Sequence, residues 1–307
     1  MPAVARVALV GSTASGKSTL AMAVAGQLAE VHIISVDSMQ VYRGMDIGTA
    51  KPTPAERALV PHHCLDLVDP SAAFTVADFR DAHDAALREI ASRGGRALLV
   101  GGTGLYHRVI VDDFELPGEW PELRSELIAE AETTGPEDLH KRLALLDPTA
   151  AAKIEPSNAR RLVRALEVCV GSGRQFSSFG PGVDSYPDTA VVQIGLRRPR
   201  EVIARRVADR VHRMIELGLV EEVRTLVERG LSRTAAQALG YKEIVEHLEG
   251  AVDENEAIET IITRTRRFAV RQDRWFRRDP RVRWIDVDDD PVVEAAPALV
   301  AAFESLT

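Results

Sequence analysis

Cysteine is scarce in this chain. Cys64 and Cys169 stand alone among 307 residues, with no CxxC spacing and no second pair, which excludes a four-cysteine zinc site and suits a reducing compartment. Long apolar runs are missing too, since none approaches the roughly 20 residues of a membrane span. The opening MPAVARVALVG carries one arginine and a short apolar stretch before a glycine motif, so it reads as a first strand rather than a secretion signal. A cytoplasmic protein that does not engage a membrane is expected. Net positive charge is also lacking: 38 lysines and arginines against 46 acids give a formal charge of −8, and on that ground alone nucleic acid would not be a partner. No internal repeat or low-complexity tail is visible.

What is present is ordinary for a folded protein, with 45% apolar and 27% charged residues, enough for one large domain or two. Charge is unevenly placed. Between Thr260 and Arg283 nine arginines face only Asp273 and Asp279, which predicts one basic surface on an acidic molecule.

Hydrophobic periodicity predicts a strand over Val4–Val10, a helix over Lys17–Ala29 and a strand over Val31–Val36. A helix capped by Thr75 over Phe74–Arg93 and a strand over Ala97–Val100 follow. Alternation of this kind predicts a parallel sheet covered by helices on both faces. Residues 37–61 are too irregular for a strand or long helix. After Pro117 the texture changes to helices over Pro121–Thr134, Pro136–Leu146 and Asn158–Val170, read as a helical insertion. A strand returns over Ala190–Leu196, then helices over Arg200–Gly218, Val220–Gly230 and from Gly240 to about Phe276. His62-His63-Cys64 with Asp66 suggests a metal set, but consecutive side chains rarely converge on one ion; a loop near the site entrance is the preferred reading.

Gly11-Ser12-Thr13-Ala14-Ser15-Gly16-Lys17-Ser18 matches G-x-x-x-x-G-K-[ST] between a predicted strand and a predicted helix. Its backbone N–H groups and helix N-terminus suit linked phosphates, Lys17 would neutralise their oxygens and Ser18 could hold Mg²⁺. Nothing in this loop demands a nucleotide. The strand ALLV ends in Gly101 and not in an acid, whereas Ile34–Asp37 ends in Asp37; a Mg²⁺-site residue and a general base are both open for it. The loops Asp37–Pro52 and Gly101–Tyr106 leave carboxyl ends of predicted strands, the edge at which open α/β sheets bind ligands.

At these residues the sequence closely resembles the tRNA dimethylallyltransferase family, also called isopentenyl-diphosphate:tRNA transferases. The pieces are GSTASGKST (11–19), SVDSMQVYRGMDIGTAKP (35–52), VGGTGLY (100–106), RRLVRALEV (160–168), ALGYKE (238–243) and RQDRWFRRDP (271–280). The C-terminal zinc finger of eukaryotic members is absent, so the likeness is to the bacterial type. The resemblance implies a P-loop NTPase-like parallel core, residues 1–116 and 188–307, with a tRNA-contacting helical insertion, residues 117–187. It implies transfer of a dimethylallyl group from dimethylallyl diphosphate to N6 of the adenosine just 3′ of the anticodon, with diphosphate released. By position Asp37 matches the general base, Gly11 to Ser18 the diphosphate cradle with Mg²⁺, and Asp37, Ser38, Met39 and Gln40 a tRNA-contact segment. Thr103 matches a further catalytic and substrate contact, although a simple turn hydroxyl is the plainer reading.

Arg160, Arg161 and Arg164 are predicted on one helical face and match a stretch that touches tRNA, with Arg160 where the family commonly has Gln. The alternative is an exposed face pairing with Glu155 and Glu167. Arg124 matches a position near RNA, and Arg224 one that reaches the diphosphate. Of the aromatics among the C-terminal arginines, Phe268, Trp275 and Phe276 are expected in the core, with the arginines facing phosphates. A small-molecule or nucleoside kinase that binds ATP, and an RNA-binding switch protein, remain the competing readings. A monomer is the default expectation.

Overall fold

Uninterrupted apolar strands need cover on both faces, and the computed structural model supplies it. It describes residues 4–180 and 182–306; residues 1–3, 181 and 307, which belong to the expected core and insertion, lie outside the described residues. Strands β1 (Arg6–Gly11), β2 (Val31–Val36), β3 (His62–His63), β4 (Arg96–Gly101), β5 (Val192–Arg197) and β6 (Val282–Asp286) form a parallel sheet in the order β3-β2-β4-β1-β5-β6. Every pairing is parallel.

The helices are α1 (Lys17–Gln27), α2 (Pro54–Leu59), α3 (Val76–Ser92), α4 (Gly104–Val111), α5 (Pro121–Thr134), α6 (Pro136–Leu146), α7 (Pro148–Ala151), α8 (Ala159–Ser172), α9 (Arg200–Glu216), α10 (Leu219–Arg229), α11 (Tyr241–Leu248), α12 (Glu254–Phe276) and α13 (Pro291–Glu304). Alternate residues of the strands face opposite layers. Val7, Leu9, Ile33, Leu98 and Ile194 pack with Leu20 and Val24 of α1 and Leu299 and Phe303 of α13. Ala8, Ile34, Ala97 and Leu99 pack on the other side with Phe79 of α3, Ile110 of α4 and Ile261 of α12.

Thr75 caps α3 through a reciprocal pair with Asp78, as the sequence predicts. The predicted helix from Gly240 to Phe276 is two helices: Gly250 takes φ +76 and Asp253 caps α12 anew. The His62-His63 segment, expected as loop, is the edge strand β3. Strand β6 and helix α13 have no counterpart in the sequence reading; β6 begins within the last two residues of the arginine-rich run, where charge interrupts the apolar pattern.

Contacts divide the chain into Met1–Val111 with Asp188–Thr307, and Asp112–Pro187. The second unit begins five residues before the expected Pro117. Its helices α5, α6 and α8 bury Leu127, Leu139, Leu143, Leu162 and Leu166, and the Asn158 side chain accepts the Arg161 N–H as the cap of α8. No helix among the described residues is long and apolar enough to cross a membrane.

Candidate active site

Because β2, β4 and β1 are neighbours, the segments leaving their carboxyl ends are brought together. Gly11 ends β1 at φ +144, and a Cβ there would lie 2.7 Å from the Leu196 carbonyl oxygen; only glycine turns the chain here. The backbone then curls through Ala14 at φ +63, a left-handed conformation costing an L-residue about 1 kcal/mol, with its carbonyl held by Arg206 Nε at 2.8 Å. Gly16, at φ +103, opens α1 at Lys17.

This loop forms one wall of a cleft of 1290 Å³. Thr13, Ala14, Gly16, Lys17 and Ser18 line it, whereas Gly11, Ser12 and Ser15 are buried beneath the surface. Lys17 Nζ donates to the Ser12 carbonyl at 2.7 Å. Burial, and then the charge of Arg210, pull the Lys17 ammonium down to about 7 against the attraction of Asp37. An anion arriving here would reverse that shift.

Asp37 follows β2 and lines the same cleft. Its Oδ1 accepts the Met39 N–H at 2.8 Å, which fixes the carboxylate at the head of a turn. Of the segment expected to contact RNA, Asp37 and Gln40 line the cleft; Ser38 and Met39 do not. Met39 packs against the apolar core, and the Ser38 N–H donates to Thr103 Oγ1 at 3.2 Å. Gln40 is tied at both ends, its Oε1 accepting Ser35 Oγ at 2.7 Å and its Nε2 donating to the Thr49 carbonyl at 3.1 Å. Thr103 does not line the cleft either; it stands behind Asp37 as a support.

Arg224 stands apart from the residues brought together here. It is exposed, pairs with Glu221 at 3.2 Å and does not line the cleft. The arginines that do are Arg57 of α2 and Arg206, Arg210 and Arg213 of α9; sequence reasoning missed the last three because their spacing looks like any charged helix face. Arg210 also reaches Thr13 Oγ1 at 3.4 Å, and its removal from water lowers its pKa while Asp37 raises it.

A second missed residue is Gln272 of α12, 7% exposed. Its Oε1 accepts the Thr13 N–H at 2.8 Å and its Nε2 donates to the Gly102 carbonyl at 2.9 Å, so one amide clamps the phosphate loop to the loop after β4. A Cβ on Gly102 would stand 2.2 Å from that amide nitrogen, which accounts for the second glycine of the pair. Helix α12 thus serves the site through its buried glutamine. Phe276 is 2% exposed and Trp275 half-buried, as expected, while Phe268 is half-buried and lines the cleft.

His62 and Asp66 line the cleft from its far wall. Asp66 serves buried Lys51 at 2.7 Å and pairs with Arg57; burial alone would raise its pKa, but these two bonds hold it below the usual carboxylate range. Among the described residues no three His, Cys, Asp or Glu side chains converge as a metal site. The Ser18 hydroxyl, exposed in the cleft, is an oxygen donor of the kind Mg²⁺ accepts.

The insertion's arginines separate into two kinds. Arg160 and Arg161 are exposed. Arg164 and Arg124 turn instead to Glu167, which is 0% exposed, at 3.0 and 2.9 Å, and Arg164 also donates to the Pro117 and Gly118 carbonyls. The three residues predicted on one face therefore do not act alike, and the expected pairing with Glu167 is present for Arg164.

A glycine loop between a buried strand and a helix, sharing a cleft with a carboxylate, defines an α/β protein of the P-loop type. The chain belongs to the IPP transferase family, whose model matches residues 40–279. A tRNA dimethylallyltransferase of Kineococcus radiotolerans is 48% identical over 98% of this chain and 99% of its own, and one of Thermobifida fusca is 48% identical over 98% and 95%. The crystal structure of the full-length tRNA isopentenylpyrophosphate transferase of Bacillus halodurans is 41% identical with a TM-score of 0.70, over 98% of this chain and 97% of its own. A eukaryotic dimethylallyltransferase acting on tRNA is 26% identical with a TM-score of 0.80, over 96% and 77%.

Proposed function

We propose that this chain is a tRNA dimethylallyltransferase that alkylates N6 of the adenosine 3′-adjacent to the anticodon, using dimethylallyl diphosphate. The observation that supports it most is the shared cleft of Asp37 and Lys17: a proton acceptor after β2 and an anion cradle after β1, at the same edge of the sheet with β4 between them.

The chemistry needs both. An adenine amino group is a weak nucleophile because its lone pair is delocalised into the ring, so a carboxylate that accepts its proton as the C–N bond forms lowers the barrier. The C–O bond to diphosphate breaks in the same displacement, and the electron pair leaves on the diphosphate. Lys17, Arg210 and the inward N–H groups of the phosphate loop neutralise that charge as it develops. Ser18 would hold Mg²⁺, which would supply further charge neutralisation when bound. The base must leave its stack to enter the cleft, with Arg160 and Arg161 available to phosphates of the anticodon stem-loop. A cytoplasmic monomer with no membrane partner is part of this reading.

The test is incubation of the chain with unmodified tRNA, Mg²⁺ and either dimethylallyl diphosphate or ATP, followed by mass analysis of adenosine. A prenyl mass gain dependent on the diphosphate is expected. ATP turnover without RNA would support a kinase, and RNA affinity without product a switch protein. Asp37→Ala is expected to lose about a hundredfold or more in kcat with RNA binding retained; an unchanged rate would refute the base assignment.

A further inference from the structure

The segment Asp46–Lys51 lines the cleft through Asp46, Ile47, Thr49, Ala50 and Lys51, yet it has no regular structure to hold it. Three consecutive N–H groups, of Asp46, Ile47 and Gly48, donate to one carboxylate, Glu222 of α10, at 3.1, 2.7 and 3.2 Å. The same carboxylate accepts the Tyr241 hydroxyl at 2.6 Å. Tyr241 is 0% exposed, and a Cβ on Gly48 would lie 2.4 Å from its ring, so loop and ring meet with no room for a side chain between them. Further along, the Thr49 and Ala50 carbonyls accept Gln40 Nε2 at 3.1 and 3.3 Å. A line of hydrogen bonds therefore runs from Glu222 through the loop to Gln40 in the cleft.

We propose that Glu222 is a positioning residue that sets where Gln40 and the Asp46–Lys51 edge stand against the RNA base, so that α10 governs the RNA side of the reaction. The inference rests on the proposed function. A carboxylate is required because four donors converge, and only two acceptor oxygens with their four lone pairs satisfy them. Glutamine presents one acceptor oxygen, and its NH₂ can still donate to a turned Tyr241 hydroxyl, so it rescues part of the network. The phosphate loop is held separately, by Gln272 and Arg206, and does not depend on this carboxylate.

The experiment measures steady-state kinetics of the full chain with an anticodon stem-loop and dimethylallyl diphosphate, beside calorimetric binding of inorganic pyrophosphate. The variants are Glu222→Ala, Glu222→Gln, Tyr241→Phe, Gln40→Ala and the double variant Glu222→Ala/Gln40→Ala. Glu222→Ala is expected to raise KM for the RNA about tenfold or more, with pyrophosphate affinity unmoved, Glu222→Gln intermediate, and the double variant no worse than the poorer single one. An unmoved RNA KM in Glu222→Ala, or strictly additive effects with Gln40→Ala, overturns the inference. Should Glu222→Ala fail to fold, Glu222→Gln and Tyr241→Phe carry the same comparison. A wild-type chain that transfers no prenyl group overturns the underlying reading, whereas a working wild type with an indifferent Glu222 overturns this inference alone.

Discussion

Thr103 and Ser38 join two strand ends: the Thr103 hydroxyl accepts the Ser38 N–H at 3.2 Å. Since β2 and β4 are already paired through Val36 and Gly101, this bond closes the last step between the sheet and the turn that carries Asp37. Thr103→Val keeps the shape and removes the acceptor. It is expected to lower kcat roughly tenfold, the size of one buried hydrogen bond lost, with pyrophosphate affinity unchanged; Thr103→Ser should restore most of the rate. Steady-state kinetics of the pair check this.

Arg210 and Arg224 make a contrast on adjacent helices. Arg210 lines the cleft beside Thr13, and Arg224 is exposed away from it. Arg210→Ala is expected to weaken pyrophosphate binding by about tenfold or more, as loss of a charge-assisted contact does. Arg224→Ala should leave it within experimental error. Calorimetric titration of both variants decides, and equal losses would return Arg224 to the site.

Lys17 gives a pH signature. In the free protein its pKa lies at about 7, below the ordinary 10.5, so at pH 8 it is mostly neutral. A bound diphosphate favours the ammonium and raises the pKa, and binding at pH 8 is expected to take up a large fraction of a proton. At pH 6 the group is already charged and the uptake should vanish. Calorimetry in buffers of different ionisation enthalpy reads this directly. The same depression means the unfolded chain binds the extra proton between about 7 and 10.5, so this residue's contribution to stability rises with pH across that window.

In the insertion, Arg160 and Arg161 are exposed, whereas Arg124 pairs with buried Glu167. The double variant Arg160→Ala/Arg161→Ala should lose RNA affinity, with the salt dependence of log K falling by roughly 0.7 to 0.9 per arginine, and melt at the wild-type temperature. Arg124→Ala should lower stability by about 1–3 kcal/mol, because it leaves a buried carboxylate short of a partner. Thermal melts and filter binding at several salt concentrations separate the two behaviours.

The phosphate loop was legible because all its requirements are local: Gly11 and Gly16 must take positive φ, and Lys17 must begin a helix. Asp37 was legible for a related reason, since it ends an apolar strand. Arg210, Gln272 and Glu222 were not, because each is a polar residue on an amphipathic helix, and only the tertiary arrangement decides which polar residue turns inward. The same limit applies to Arg124 and Arg164, matched to positions near RNA: the sequence offers Glu167 as a partner for the Arg164 face, but not that this glutamate is buried and pairs with both. On α10 the polar side chain that turns to the cleft loop is Glu222, two positions before the exposed Arg224.

Strand β1 is early in the chain but lies between β4 and β5, and Gly11 is registered against Leu196. During synthesis one flank of that strand stays bare until everything through the insertion has left the ribosome. A chain that ends before β5 therefore carries the P-loop motif without the strand against which Gly11 makes its turn.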